Sequence, residues 1–467
     1  MTATRRTPKI TRSTGKPQDY NPTYSQHIVK NVFFIAVSLL FLPLSTFLLV
    51  SCLVIRHFQK QPQPIPNGQR KTVLVNSGRM TKSLVLLRKF KEAGHRVILV
   101  EEHSYWFCAN RWSNSVDAFY RIGNPLVDLN KYTEDLIKVI KAEGVDYFIL
   151  VSHAGSTIED GIAKKEISKH CEVFQFDEDT CRTLHEKHRF IDKARGLGFV
   201  VPESHHITVH DQVLKFDFKK TPEKKFILKC IGLDPLDDHT RSDMTLLPLS
   251  TPERTSAHVK AQRISESNPW VLQEFIQGEE YCTHSTVRGG QVRAFVACPS
   301  SELLVNYYVS EKPKMLEFTQ KFASKMNLTG QLAFDFIETA DGSIYPIECN
   351  PRTHTAITLF YNHPHFAASY VPDSDDDRVT WPVQPLMNSP PVYWIGHELF
   401  SLFRTWDVKT FLERLVFERD GTFSIEDPWP HFLLYHFHWP FIFLKSLIEG
   451  KKWSRINVST SRVFLTN

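Results

Sequence analysis

The stretch Gly330 to Pro364, GQLAFDFIETADGSIYPIECNPRTHTAITLFYNHP, decides how this chain is read. Asp341-Gly342 is the dipeptide favoured in a two-residue hairpin turn, and the residues on either side alternate as two antiparallel strands do. With those two residues as the turn, position i on one strand faces position 683 − i on the other, so Asp335 lies opposite Glu348. Their Cβ atoms are then about 5 Å apart. Like charges facing one another destabilise a sheet unless a cation sits between them. Asn350, two residues past Glu348, shares its face because strand side chains alternate. Two carboxylates and an amide oxygen are hard ligands, the kind that hold Mg²⁺ while substrate phosphates complete the shell. The plainer alternative is a surface hairpin whose acidic pair is solvated.

Upstream, the segment Asp177 to Tyr361 supplies residues for the phosphate side. Lys229 ends the strand-like run KFILKC (225–230), from which an ammonium reaches a phosphate as a point charge. A lysine snorkelling from an edge strand is the alternative. Lys187 and Arg189 fall in a helical stretch ending near Gly196 and Gly198. The run WVLQEFI (270–276) is followed by Gln277-Gly278-Glu279-Glu280. Backbone beside Glu274 can offer N–H and C=O groups to an adenine edge, and Glu280 can accept from ribose hydroxyls.

Further upstream, strand and helix alternate. TVLVN (72–76), a helix over Met80 to Ala93 stopped by Gly94, and RVILVE (96–101) make one unit. A helix over Tyr132 to Glu143 stopped by Gly144, with a strand over Val145 to Val151, makes the next. This βαβ pattern predicts a small parallel sheet over 71–176. Its first turn, NSGRMTKS, has one glycine where a dinucleotide loop needs three, and Lys82-Ser83 lacks the paired glycines of a phosphate loop. Replacing Lys82 is therefore expected to do little.

The chain has 467 residues, 42% apolar and 23% charged, as folded proteins do. Lys plus Arg number 56 against 51 Asp plus Glu, and a net +5 so dispersed excludes nucleic acid as the partner. Eight cysteines without a C-x-x-C pair point away from zinc and from a secreted disulfide framework, toward a reducing compartment.

From Asn31 to Ile55 there are 25 residues without a charge, enough to cross a bilayer core. A membrane anchor at 31–55 is expected, with a buried core helix as the alternative and Pro43 allowing a kinked span or re-entrant hairpin. The basic segment before it, Arg5 to Lys16, reads as a flexible tail or an organelle transit segment. Near the other end, WPHFLLYHFHWPFIFL (429–444) sets aromatic beside cationic residues. It is read equally as a membrane-interface segment and as a C-terminal helix packed on the core.

The order lysine, strand lysine, acidic hinge and metal hairpin, closing on IECNPR, resembles the ATP-grasp superfamily of ATP-dependent ligases. At finer grain GRMTK, FDED, KARGLG, QEFIQGEEYCTHSTVR, GQLAFDFI and IECNPRTHTAITLFYNHP are similar to the ligases that join glycine to 4-deoxygadusol, giving mycosporine-glycine. The likeness runs from near Lys71 to the C-terminal WPFIFLKSL, and a hydrophobic N-terminal segment is usual in that group. It implies an α/β and α+β architecture: an ATP-grasp fold with a lid subdomain over 177–370, preceded by a small parallel Rossmann-like pre-ATP-grasp domain over 71–176. Around them lie a basic tail (1–30), the hydrophobic membrane segment (31–55), linkers at 56–70 and 371–392, and an aromatic-rich region at 393–467. By the same resemblance Lys187 and Lys229 contact ATP phosphates, Glu274 and Glu280 the adenosine, and Asp335, Glu348 and Asn350 the Mg²⁺. Arg352 neutralises the transferred phosphoryl group. One departure concerns the lid, CIGLDPLDDHTRSDM, where Gly232 stands alone and His239 or Arg241 is offered in place of lid glycines.

The implied chemistry phosphorylates an enolic oxygen of a cyclohexenone-type acceptor, after which the amine of an amino acid adds to the ring carbon and phosphate departs. The amine must be free of its proton, and His284, His354 and His363 are the candidates to accept it. Arg288 and Arg293 are candidates to clamp the amino-acid carboxylate. A carboxylate–amine ligase working through an acyl phosphate and a membrane-tethered ATP-binding non-enzyme are the alternative readings. An ATP-consuming enzyme with reduced thiols is expected on a cytosolic, stromal or matrix face.

Overall fold

The computed structural model describes residues 22–58, 70–231, 244–300, 306–372 and 379–465. The basic tail from Arg5 to Lys16, the linker Gln61 to Gln69, Gly232, His239 and Arg241 of the lid segment, and Asp373 to Arg378 lie outside the described residues. The chain divides into two units, Pro202–Ile276 in one and Asn21–Val201 with Gln277–Asn467 in the other.

The larger unit opens with α1 (Tyr24–Phe58), an unbroken helix of 35 residues that runs through Pro43. Neither a sharp break nor a re-entrant hairpin forms there. At 1.5 Å per residue it is about 52 Å long. Its most apolar window has a mean hydropathy of 2.5 and is 6% buried, so by length and composition it is able to cross a membrane.

Next come β1 (Thr72–Val75), α2 (Thr81–Glu92), β2 (Arg96–Glu102), β3 (Ala118–Ile122), α3 (Leu129–Glu143), β4 (Tyr147–Ile149), α4 (Thr157–Ile167) and β5 (Glu172–Phe174). The five strands form one parallel sheet ordered β3-β2-β1-β4-β5. The helix ends follow from local chemistry. Asp128 caps α3 by accepting from Lys131 N, and Gly144 ends it in the left-handed conformation, φ +60°. One sheet face is buried against α3 and α4 through Leu136, Ile140 and Ile167. The other face packs Val75, Val97 and Leu99 with Leu86 and Phe90 of α2.

After α5 (Glu178–His185) and α6 (Lys187–Gly196) the chain enters the smaller unit. There β6 (Ser204–Ile207), α7 (His210–Leu214), β7 (Phe226–Cys230), β8 (Leu246–Leu247), α8 (Pro252–Lys260) and β9 (Trp270–Glu274) build an antiparallel sheet ordered β6-β9-β7-β8. Its core is Phe226, Leu228, Trp270 and Leu272, closed by Val213 and Val259 from the helices.

Back in the larger unit, β10 (Glu279–Arg288), β11 (Gln291–Pro299), β12 (Asn306–Tyr307), α9 (Pro313–Met326), β13 (Gly330–Glu338) and β14 (Ile344–Asn350) follow. An antiparallel sheet ordered β11-β10-β13-β14 results. Phe190 of α6 and Phe318 and Phe322 of α9 bury one of its faces with Phe334 and Phe336. The opposite face, Cys282, Ala294 and Val296, joins the core of α2 and the parallel sheet. All eight cysteines are free, although Cys282 and Cys298 are direct partners across β10 and β11.

Val383 bridges to the edge of β11, where its N donates to Arg293 O (2.9 Å) and Phe295 N donates to its O (3.0 Å). Then β15 (Val392–Tyr393), α10 (Ile395–Thr405), α11 (Val408–Phe417), β16 (Arg419–Asp420), α12 (Trp429–Leu433), α13 (Trp439–Glu449), β17 (Trp453–Asn457) and β18 (Arg462–Leu465) complete the chain. The aromatic segment packs onto α1. Phe34 stacks on Phe443, with centroids 5.3 Å apart, and Trp453 Nε1 donates to buried Asn31 Oδ1 (3.0 Å). Ser38 Oγ donates to Tyr435 O at 2.9 Å. The N-terminal helix is thus stitched to the C-terminal region.

Candidate functional site

Asp335 and Glu348 are direct partners in the β13–β14 ladder, as the turn arithmetic expects, but by a different route. The turn is a three-residue loop, Ala340 to Gly342. Gly342 N donates to Thr339 O (2.8 Å), Thr339 N to Ser343 O (2.9 Å), and Gly342 takes φ +76°. That loop pairs Glu338 with Ile344 and Phe336 with Pro346, one residue off the two-residue register. A bulge between Asp335 and Phe336 then restores the expected pairing. Pro346, which has no N–H to give to the ladder, sits beside the extra residue on this edge strand.

The charges around the pair are organised by helix α6. Lys187 Nζ lies 2.6 Å from Glu348 Oε2, and its positive charge holds that carboxyl well below the usual range. Asn350 Nδ2 donates to Glu348 Oε1 at 3.0 Å, which places the amide on the same face. Asp335 goes the other way. Burial, then the neighbouring Glu348 charge, pushes its carboxyl well above the usual range. Within the cluster Glu348 is the acid favoured as an anion and Asp335 the acid favoured in its neutral form. Arg352 is close enough to feel both acids, while its buried Nη1 has no hydrogen-bond partner among the described residues. His185, at the end of α5, is a neighbour that motif spacing did not single out. Its Nδ1 is buried and has no partner among the described residues, and burial with Arg352 nearby lowers its pKa to about 4.

The loop after β14 that carries Arg352 is braced from the parallel sheet. Lys82 Nζ donates to Thr353 O (2.6 Å) and Ser152 O (3.1 Å), and Gln175 Nε2 to Pro351 O (3.4 Å). Thr353 Oγ1 donates to Gln331 Oε1 at 2.6 Å. His284 and His354 belong to this brace. His284 is fully buried, its Nδ1 accepting from His354 N (3.3 Å) and its Nε2 lying 3.3 Å from Tyr370 OH. Since Tyr370 OH donates to Gln331 Oε1 (2.9 Å), the imidazole Nε2–H donates to the tyrosine oxygen. Both ring nitrogens are thereby committed, and burial drives its pKa well down. His354 caps the turn Thr355–Phe360 through Nδ1, and burial lowers its pKa to about 3. His363 accepts from His365 N at 3.2 Å. The structure thus gives each of the three histidines a backbone-holding contact. Arg288 is paired with Glu172 and Arg293 lies over Trp381, so neither guanidinium is simply a surface arginine.

Glu280, on β10, accepts from Ser300 Oγ (3.1 Å) and adds its charge to the field at Asp335. In the smaller unit Lys229 lies half-buried on β7 opposite Val271, and Glu274 accepts from Glu203 N (3.0 Å) and Lys224 Nζ (3.3 Å). A second polar cluster, which the sequence did not signal, lines the carboxyl ends of β1, β2 and β4. Arg79 pairs with Glu101 (3.2 Å), while Glu102 accepts from Asn124 (2.8 Å) and lies 3.6 Å from His153. Strand order reverses between β1 and β4, and that crevice is where open parallel sheets bind ligands.

A divalent cation fits the hairpin. Among the described residues no group of three His, Cys, Asp or Glu side chains gathers as a metal cage. Two facing carboxylates and an amide are instead the sparse set Mg²⁺ takes when phosphates and water fill the rest. The unpartnered Arg352 Nη1 beside them suits an incoming anion.

No protein-family model matches the chain, and no curated protein matches its sequence. Among solved structures, the ADP complex of N5-carboxyaminoimidazole ribonucleotide synthetase gives a TM-score of 0.51 at 13% identity, over 74% of this chain and 87% of that one. N5-carboxyaminoimidazole synthetase from Staphylococcus aureus complexed with ADP gives 0.47 at 12%, over 71% and 82%. An L-amino acid ligase from Bacillus licheniformis gives 0.45 at 11%, over 64% and 69%. The first likeness shows the fold. That fold is a mixed α/β architecture that contains a parallel sheet.

Proposed function

We propose that this chain is an ATP- and Mg²⁺-dependent ligase of the ATP-grasp type that forms a C–N bond on a small molecule. The observation that carries this is the hairpin itself: Asp335 opposite Glu348, Asn350 on the same face, Lys187 on Glu348 and an unpartnered Arg352 Nη1 beside them. Asp335, Glu348 and Asn350 would hold the metal, which when bound with ATP supplies charge neutralisation for phosphoryl transfer to the acceptor. Arg352 offers a guanidinium where the transferred charge needs neutralising, and Lys187 turns from Glu348 toward phosphate oxygens when the cation takes its place. Lys229, Glu274 and Glu280 are each proposed as nucleotide contacts on the motif order that resembles the ATP-grasp ligases.

For the substrates we propose 4-deoxygadusol and glycine, supported by the motif strings that resemble the mycosporine-glycine-forming ligases. The acceptor docks at the strand ends beside Arg79, Glu102 and His153, where a ligand crevice belongs in such a sheet. We propose further that the outward face of α1 seats in a bilayer with the catalytic body on a reducing, ATP-containing side. The support is its length and the exposure of Val32, Leu40 and Phe47.

The test is incubation of the full chain with ATP, Mg²⁺, 4-deoxygadusol and each of several amino acids. Formation of ADP together with an absorbing enaminone supports the proposal. ADP formed only with a carboxylic acid and an amine moves the reading to an acyl-phosphate ligase, and no ADP with any pair removes the enzyme reading.

A further inference from the structure

A half-open pocket of about 1,190 Å³ lies between α1, α10, α11 and the segment carrying α12 and α13. Small-molecule pockets typically enclose about 300–1,000 Å³. Its walls are hydrocarbon and aromatic: Phe34 and Phe41 of α1, Leu399 of α10, Phe411 of α11 and Phe443 of α13. Such a volume, apolar and bordered by a candidate membrane helix, is suited to an extended alkyl chain.

One end is polar. Arg419 lies there with its guanidinium 3.6 Å from the centroid of Tyr361, and both residues sit on the wall between this pocket and a neighbouring polar one that holds Arg88 and Glu426. Its one side-chain hydrogen bond among the described residues is to Phe423 O, at 3.3 Å. Two acids share this end. Asp420 is already met by the backbone N–H groups of Ile395 (2.8 Å), Thr422 (2.8 Å) and Phe423 (3.0 Å), and Glu418 has contacts of its own. A second cation, the exposed Arg404, lines the cavity from α10. An apolar chamber with a guanidinium at its polar end has the charge and shape of a single-chain carboxylate amphiphile.

We propose that this cavity binds a long-chain fatty acid, its alkyl chain among the α1, α10 and α11 side chains and its carboxylate on Arg419. The proposal stands apart from the ligase reading and from the choice of its substrates.

The test uses the full chain in lipid nanodiscs, photolysed with hexadecanoic acid that carries a diazirine on its chain, followed by peptide mapping. Label is expected on 395–417 and 429–443, and Leu399→Trp, which fills the chamber, should abolish most of it. Unlabelled hexadecanoic acid should compete about tenfold better than its methyl ester, the difference one charge-assisted hydrogen-bonded pair makes. Arg419→Gln should erase that preference. Label spread over outward residues such as Val32, Leu40 and Val54, indifferent to Leu399→Trp, would mean bulk lipid contact and overturn the proposal. Equal competition by acid and ester would overturn the carboxylate assignment, whether or not the Arg419 variant folds.

Discussion

Lys82 Nζ donates to the carbonyl oxygen of Thr353 at 2.6 Å, tying the first helix of the parallel sheet to the loop that carries Arg352. The lysine is 6% exposed, and burial lowers its pKa well below the usual range. It is a structural strut beside the candidate site, paired with two carbonyls, Thr353 and Ser152, and among the described residues with no carboxylate ion pair.

Lys82→Met should therefore cost both stability and turnover. Two buried carbonyls lose their donor, worth about 1–3 kcal/mol, and a displaced Arg352 loop should slow ligation by about 10²-fold. Urea unfolding and steady-state kinetics on the same preparation check this. Wild-type values in both would show that the Thr353 loop holds itself.

Asp335→Asn and Glu348→Gln should each lower Mg²⁺-dependent ligation by about 10²–10³, since a lost metal ligand removes charge stabilisation of that order. Their stabilities should part: Asp335→Asn relieves a charge that burial and Glu348 disfavour and should leave the unfolding midpoint at or above wild type, whereas Glu348→Gln breaks the ion pair with Lys187 and should lower it. Turnover measured against Mg²⁺ concentration is the check. Undiminished activity at limiting Mg²⁺ in either variant would dismiss the metal assignment.

His363 is 8% exposed, and burial with His365 and Lys89 nearby lowers its pKa to about 4 from 6.5. Between those values the unfolded chain binds the proton that the folded one refuses, so stability rises with pH across pH 4 to 6.5 and falls as the solution is acidified. His363→Asn keeps an acceptor for His365 N and should flatten that window by about 2 kcal/mol or less. Unfolding midpoints of wild type and variant at pH 4.5 and 7.5 measure the difference. A wild-type slope in the variant would assign the acid sensitivity elsewhere.

Asn31→Leu should destabilise the chain by about 1–2 kcal/mol, since it strips the acceptor from Trp453 Nε1 at a fully buried position. Removal of residues 1–58 should go further and leave Phe443 and Trp453 uncovered, so the truncated chain is expected to aggregate, not merely to leave the membrane fraction. A soluble, fully active truncation would show that these contacts are dispensable.

Local sequence determined the parts whose cause is local. Asp128 and Gly144 bound α3, alternating apolar residues make β13 and β14, and the succession of strand and helix sets the parallel sheet, because caps and periodicities act over a few residues. The opposition of Asp335 and Glu348 was legible too, but only because two departures cancel. A three-residue loop shifts the register by one and the bulge beside Pro346 shifts it back, and a dipeptide does not report a bulge several residues away. What tertiary structure alone decided are contacts between residues far apart in the chain, from 70 positions to more than 400. Lys82 reads as a turn lysine until Thr353 is folded over it, and His284 as a proton acceptor until Tyr370 and His354 take both its nitrogens. The N-terminal helix reads as a free tether until Asn31 and Phe34 meet Trp453 and Phe443. Composition reports that such a helix prefers an apolar neighbour. Whether lipid or another part of the same chain fills that place depends on where the C-terminal region folds.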